Sequence, residues 1–269
     1  MIPADRLRAH ITALTAQGPR YPDLPGVPHA LRYITDELSG LGLAVRVERY
    51  GSELHEVNLI AEIQGGTSDD AIELGAHWDS VETSPGADDN ASGVAGVLEA
   101  ARVLADLDLP ARTIRFCLFG GEEDEFNGST AHVRTITPDT EAIIFEMIGY
   151  TAAVQHLPPA LTGLVEAPQR GDFIAVVGDE ASSGLVGAFA HQAADLPVFP
   201  LVIPEIARDV MRSDHVPYWE SGRRAVLVTD TAEYRNPGYH NADDTTRTLD
   251  LQFAAKVTAA AIRTITKLV

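Results

Sequence analysis

One cysteine, Cys117, is all that 269 residues contain, so no intramolecular disulfide can form. It sits inside the apolar run TIRFCLF and reads as a small buried hydrophobe rather than a nucleophile. Long apolar runs are missing too. No window approaches the 18 or so uninterrupted apolar residues of a membrane span. The opening MIPADRLRAHITAL lacks the apolar stretch behind a basic patch that marks a signal peptide, so a soluble, cytoplasmic protein is expected. Bases are scarce, 20 against 39 acids, which gives a formal charge of −19. Such a surface repels phosphate and anionic lipid and makes nucleic acid and membrane poor partners. Repeats, low-complexity segments and composition breaks are absent as well. With 45% hydrophobic residues the chain can bury a sizeable core, and a single domain over 1–269 is expected.

What is present alternates in character. Leu7, Ile11 and Leu14, and then Leu31, Ile34, Leu38 and Leu41, recur at helical spacing. LAVRVERY alternates like a strand with one buried face, and NLIAEI and AIELGAH read as two more strands. Asn90 or Ser92 can cap a helix carrying Val94, Val97, Leu98, Ala101 and Leu104. TIRFCLF, AIIFEMI, DFIAVVG and AVLVTDT are short apolar runs, as expected of strands covered on both faces. Helical patterns lie between several of them, and a last helix spans about 251–268. The order predicts a three-layer α/β/α sandwich around a mixed, mainly parallel sheet. Residues 151–172 form the longest stretch without a period, and a long ordered loop in a compact domain is often functional.

Ligands of open α/β sheets bind beyond the carboxyl ends of the strands. His77 and Asp79 follow one apolar run, Glu122 and Glu123 a second, and Glu146 a third. Glu233, Tyr239, His240, Asp243 and Asp244 follow a fourth, while Asp88 and Asp89 enter from the turn before a helix. Any one of them alone would be a solvated loop residue. Gathered at one sheet edge, that many carboxylates repel one another unless a cation sits among them. Mixed histidine and carboxylate donors suit zinc or a similar first-row metal.

The strings GAHWDS, PGADDNASG, GGEED, EMIGY, SDH and YHNADDT, taken in that order, resemble the M28 metallo-aminopeptidases, exopeptidases with two zinc ions. The resemblance runs from GPR at 18–20 to the final helix. It implies a peptide substrate with a free N-terminus and two zinc ions or similar divalent metals. It implies His77 and Glu146 on one metal, Asp89 bridging, and Glu123 and His240 on the second. Glu122 then resembles the general base, Asp79 the acid that orients the His77 ring, and Tyr239 a hydrogen-bond donor to the oxyanion. The pattern usually carries Asp where Glu146 stands, and Thr where Asn241 follows the last histidine. Asp214 and His215 are expected to line the cleft without ligating.

The other histidines, His10, His29, His55, His132, His156 and His191, stand outside these motifs and are expected at surface or helix positions. Trp78 suits the cleft wall and the core equally. Asp69, Asp70, Asp106 and Asp108 read as solvated turns. Two rival functions stand beside the aminopeptidase. One is a zinc enzyme of the same fold that processes amides otherwise, such as a glutaminyl cyclase, and the other is a non-catalytic binding module. An inserted dimerisation domain, as in related carboxypeptidases, finds no room in this length. The oligomeric state and side-chain preference are not legible.

Overall fold

The computed structural model describes residues 2–66, 70–107, 110–163, 165–203 and 211–269. Its strands are β1 (Val45–Arg49), β2 (Val57–Ile63), β3 (Ala71–His77), β4 (Thr113–Phe119), β5 (Glu141–Glu146), β6 (Ile174–Gly178), β7 (Val198–Val202) and β8 (Arg224–Thr229). They form one sheet in the order β1-β2-β4-β3-β5-β8-β6-β7. The central block β4-β3-β5-β8 is parallel. β2 joins it antiparallel on one side and β6 on the other, with β1 antiparallel to β2 and β7 parallel to β6. The sheet is therefore mixed. The four strands whose ends carry the candidate site residues are the parallel block, so all four deliver them to one edge.

The helices are α1 (Ala4–Thr15), α2 (Gly26–Gly40), α3 (Ala91–Leu104), α4 (Asn127–His132), α5 (Ser183–Gln192), α6 (Val216–Glu220) and α7 (Leu251–Leu268). Period-two alternation along the strands sorts them into layers. Phe116 and Leu118 of β4, and Ile143 and Phe145 of β5, face one way, into a large core shared with α1, α2, α3, α5 and α7. Cys117 and Phe119, and Ala142 and Ile144, face the other way, against Val133 behind α4 and Tyr218 of α6. β3 is buried along its whole length, as expected of a central parallel strand. The Asn90 side chain accepts from Gly93 N–H and caps α3, while Asp250 accepts from Gln252 and Phe253 N–H and caps α7. Each cap contributes about 1 kcal/mol.

Several details differ from the sequence reading. Val47 of β1 is 51% exposed because β1 is an edge strand with only β2 beside it. β7 carries Pro200, which argues against a central strand, and it too lies at an edge. α4 and α6 are too short to display a period. Trp78 is wholly buried with its indole N–H on the Val57 carbonyl, so it belongs to the core rather than the cleft wall. His10 and His132 are buried beside carboxylates supplied by other elements, Glu99 for the first, Glu48 and Glu73 for the second. Asp106 is exposed in a turn and Asp70 is half-buried at the start of β3, whereas Asp69 and Asp108 lie outside the described residues.

Candidate metal centre

His77 is the last residue of β3 and Glu146 the last of β5. Glu122 and Glu123 follow β4 after Gly120 and Gly121, and the second glycine adopts φ +67°, a conformation that a side chain would strain. Asp89 sits at the end of the turn before α3. Gly86 makes that turn possible, because a Cβ there would lie 2.2 Å from the Asp89 carbonyl oxygen. His240 follows β8 in the left-handed region at φ 57°.

These five residues converge as two trios that share one carboxylate. His77 Nε2 lies 3.3 Å from Asp89 Oδ1 and 3.3 Å from Glu146 Oε2. His240 Nε2 lies 3.2 Å from Asp89 Oδ2 and 3.2 Å from Glu123 Oε2. One oxygen of Asp89 thus faces each imidazole. Donor atoms of each trio lie within 4.8 Å of one another, close enough to share an ion. The crowd beginning at His77 also divides its labour. Asp88 turns away from both trios and accepts from Gly149 N–H and the Asn236 amide. Asp244 accepts the N–H groups of Asp88 and Asp89 at 2.8 and 3.1 Å. Asn90 ties the same turn to β5 by donating to the Phe145 carbonyl and accepting from Met147 N–H.

Around the trios the charges are one-sided. Burial opposes an imidazolium at His77, yet Glu146 and Glu122 raise its pKa well above the ordinary value. His240 is pushed up to about 10, burial again opposing and Asp89 and Glu123 prevailing. Burial pushes Glu123 up to about 7, helped by the neighbouring Asp89 charge. It also lifts Glu122 well above the carboxylate range; His77 opposes that rise, whereas Glu146 and Glu123 add to it. Glu123 Oε1 is buried without a hydrogen-bond partner. Surplus carboxylates, two imidazoles and an orphaned oxygen suit a pair of divalent cations, so these residues fit the metals that the resemblance implies.

A third group of potential donors provides a contrast. Glu73, Cys117 and His132 are also mutually close, on the α4 side of the sheet. There the charges balance internally. Arg115 and Tyr218 donate to Glu73, and His132 bridges Glu73 and Glu48. That group is satisfied by its own side chains.

Asp79 Oδ1 lies 3.5 Å from His77 Nδ1. The same carboxylate accepts Glu122 N–H at 3.4 Å and Glu123 N–H at 3.3 Å, so it also holds the loop that carries both glutamates. Glu122 Oε2 stands 3.9 Å from His77 Nε2, beside the first trio. The Tyr239 ring stacks on His240 with centroids 3.8 Å apart, and its phenol oxygen accepts from Arg212 Nη2 at 2.8 Å. With that oxygen's lone pair engaged, the phenol proton is free to point elsewhere. Asp243 is exposed and Glu233 pairs with Arg212, so neither joins a trio. Asn241 stabilises its own turn by donating to the Pro237 carbonyl. Asp214 and His215 are wholly buried behind the site rather than lining it, and the ring of His215 packs edge-on against Trp219.

Beside the trios opens a recess. Its apolar wall is Phe173, just before β6, with Ala175 and Val177 of β6, Phe199 and Leu201 of β7 and Leu227 of β8. From the aperiodic stretch 151–172, Gln155, His156, Leu157, Pro158, Leu161 and Ala167 line it as well. Ala152 and Gly171 exchange backbone hydrogen bonds at 2.8 and 3.0 Å. Arg235 fastens the stretch by donating to Gln155 Oε1 and the Phe173 carbonyl. Arg212 and Ser213 also line the recess, while 204–210 lie outside the described residues. Sequence reasoning missed Arg212, Arg235 and the backbone-holding role of Asp244, because none belongs to a spacing pattern.

Residues 58–265 match Peptidase family M28. The uncharacterized Escherichia coli protein YfbL is 37% identical over 221 residues, which is 74% of this chain and 67% of YfbL. A Pseudomonas aeruginosa aminopeptidase is 36% identical over 152 residues, 55% of this chain but 24% of that protein, so the chain spans a minor part of it. In solved structures the fold recurs in BSAP, a zinc aminopeptidase from Bacillus subtilis (TM-score 0.78, 16% identity, 100% of this chain and 96% of that one). It recurs also in Porphyromonas gingivalis glutaminyl cyclase (TM-score 0.74, 20% identity, 100% and 99%).

Proposed function

The chain belongs to peptidase family M28, and from that membership and the site geometry we propose that it is a two-metal aminopeptidase, removing the N-terminal residue from peptides. The observation that carries the reading is the division of Asp89, one oxygen facing His77 and the other His240. Such a carboxylate is what two adjacent cations need between them. His77, Asp89 and Glu146 would hold one ion, and Asp89, Glu123 and His240 the other. When bound, a divalent pair supplies Lewis acidity and lowers the pKa of water toward about 7.

The chain's own side chains do the rest. Glu122 ligates neither ion in this assignment, so its carboxylate is available to take a proton from the attacking water. It then hands that proton to the leaving amine. Asp79 keeps Glu122 in place through the backbone and orients the His77 ring. Tyr239, its oxygen already accepting from Arg212, donates its proton toward the oxyanion that develops on the scissile carbonyl. Glu122 and Glu146 line the mouth of the recess, where a substrate ammonium finds negative charge. The apolar wall beyond receives the first side chain, which favours peptides that begin with an apolar residue. Among the described residues no helix is long and apolar enough to cross a membrane.

A one-metal cyclase acting on N-terminal glutamine is the competing reading on this fold. It would not need the full set of five donors, and the presence of both His77 and His240 favours the aminopeptidase. The test is a panel of aminoacyl-p-nitroanilides, their N-acetylated counterparts and N-terminal glutaminyl peptides, with zinc and with chelator. Release of p-nitroaniline from free-amine substrates only, and its loss with chelator, is the expected result. Cyclisation of glutaminyl peptides without p-nitroaniline release would overturn the reading.

A further inference from the structure

Arg20 follows α1 in the segment GPRYP and is wholly buried. Its guanidinium donates to a row of backbone carbonyls in the turn that carries the site: Nε to Trp78 at 2.5 Å, Nη1 to Pro85 at 2.7 Å, and Nη2 to Gly86 at 2.8 Å and Asp89 at 3.4 Å. The Arg20 backbone joins in. Its N–H donates to Ser80 Oγ at 2.9 Å, and its carbonyl accepts from Ser80 N–H at 3.3 Å. Each of these bonds lands between Trp78 and Asp89, the segment that holds Asp79 and the shared ligand.

The grip on Asp89 is two-sided. Asp244 takes its N–H at 3.1 Å, and Arg20 reaches its C=O. Arg20 comes from near the start of the chain and Asp244 from beyond β8, so the two peptide groups flanking the Asp89 Cα are held by remote parts of the sequence. Burying a guanidinium without a carboxylate directly on it costs several kcal/mol. A turn could be tied with neutral donors at lower cost. The planar fork, however, reaches four carbonyls from one rigid group, which no other side chain can do. Burial lowers its pKa, and the charges of Asp79, Asp89, Asp244 and Glu123 oppose that fall.

We propose that Arg20 is a positioning residue for the shared metal ligand: it fixes the peptide of Asp89 so that the two carboxylate oxygens point at separate imidazoles. It touches neither a donor atom nor the recess and acts only through the backbone of Asp89. The inference rests on the two-metal reading above.

The experiment is a calorimetric zinc titration of the full-length, metal-free chain and of Arg20→Lys, Arg20→Gln, Ser80→Ala and Leu14→Ala, with folding checked by circular dichroism. Wild type should take up two zinc ions. Arg20→Lys keeps the charge but loses the fork and should weaken binding of the pair at least about tenfold, as loss of supporting contacts does in metal sites. Arg20→Gln should weaken it further. Leu14→Ala, which empties part of the core and removes none of these hydrogen bonds, should lower the melting temperature without changing zinc affinity. If neither Arg20 variant folds, Ser80→Ala decides, because it loosens the segment while leaving the guanidinium in place; a drop of about threefold or more is expected. Unchanged zinc affinity in the folded variants, or an equal loss in Leu14→Ala, would overturn the proposal. Failure of wild type to bind zinc would strike the two-metal reading instead.

Discussion

Ser213 Oγ donates to Glu146 Oε2 at 2.5 Å, from a residue held at φ 105°. The contact governs where the longer arm of Glu146 ends, since a glutamate in a place that usually holds aspartate has one more rotatable bond to restrain. With Ser213 in place, Oε2 lies 3.3 Å from His77 Nε2, within the first trio. Ser213→Ala removes the restraint without adding bulk. Its zinc affinity at the first site should fall by about tenfold, read by competition with a chromogenic chelator. An unchanged value would mean that the backbone of β5 alone sets the reach of Glu146.

Glu122→Gln keeps shape and removes the basic oxygen. The turnover number on an aminoacyl-p-nitroanilide should drop at least about 100-fold, with zinc content by atomic absorption unchanged. Loss of zinc in step with activity would make Glu122 a ligand rather than a base.

That His77, Glu122, Glu123 and Glu146 meet at one sheet edge was legible in the sequence because they end or follow strands, whereas the division of the donors into two trios came from the family resemblance. His77 closes β3 and Glu146 closes β5, and apolar runs of that kind end where the side chains emerge. The helix cap at Asn90 was equally local. Arg20, Arg212, Arg235 and Asp244 were not legible, because each acts on backbone or side chains more than 20 residues away and no periodicity encodes such a meeting. His132 illustrates the same limit. It has no acidic neighbour in sequence, yet it bridges Glu48 from β1 and Glu73 from β3. Adjacency alone does not separate Asp88 from Asp89: the resemblance singled out Asp89, and the fold turns it toward the imidazoles and Asp88 toward Gly149 and Asn236.

The recess wall offers a change of preference rather than a loss. Leu227 lies on β8 at its floor, in one apolar cluster with Phe173 and Val177. Leu227→Trp fills space that a leucyl or phenylalanyl side chain would occupy. Relative kcat/KM should move toward alanyl substrates by at least about tenfold, since one or two methylenes in such a pocket are worth about 1–3 kcal/mol. The same ratio in variant and wild type would place the first side chain elsewhere.

Tyr239 and Arg212 act as one unit in the proposed chemistry. Tyr239→Phe removes the phenol donor while keeping the stack on His240, so kcat should fall by about 100-fold with KM little changed. Arg212→Met leaves the phenol but frees its oxygen and unpairs Glu233. Its loss should be smaller, and the double variant should be no worse than Tyr239→Phe alone. Additive losses would show that Arg212 works on the substrate directly.

His132 gives a stability prediction whose sign can be worked out. Its ring bridges Glu48 at 2.7 Å and Glu73 at 3.2 Å, with Cys117, Arg115 and Tyr218 completing the surroundings. Burial opposes the charged imidazole, but Glu73 leads the interactions that raise its pKa well above the ordinary value. That contribution is fully present below about 6.5, the unfolded pKa. It declines as pH rises further and is gone above the folded pKa. Glu73 runs in the opposite sense. Burial would raise it, yet His132 and then Arg115 bring it down to about 2, so its contribution is present above about 4.3 and is lost as pH falls toward 2. Removing one partner of a buried ion pair costs about 3–5 kcal/mol. His132→Gln should therefore lose about 3 kcal/mol near pH 6, measured by urea denaturation. The gap to wild type should narrow above pH 7 and again below pH 4. A gap that stays constant from pH 3 to 10 would mean that His132 is neutral in the folded protein and contributes packing alone.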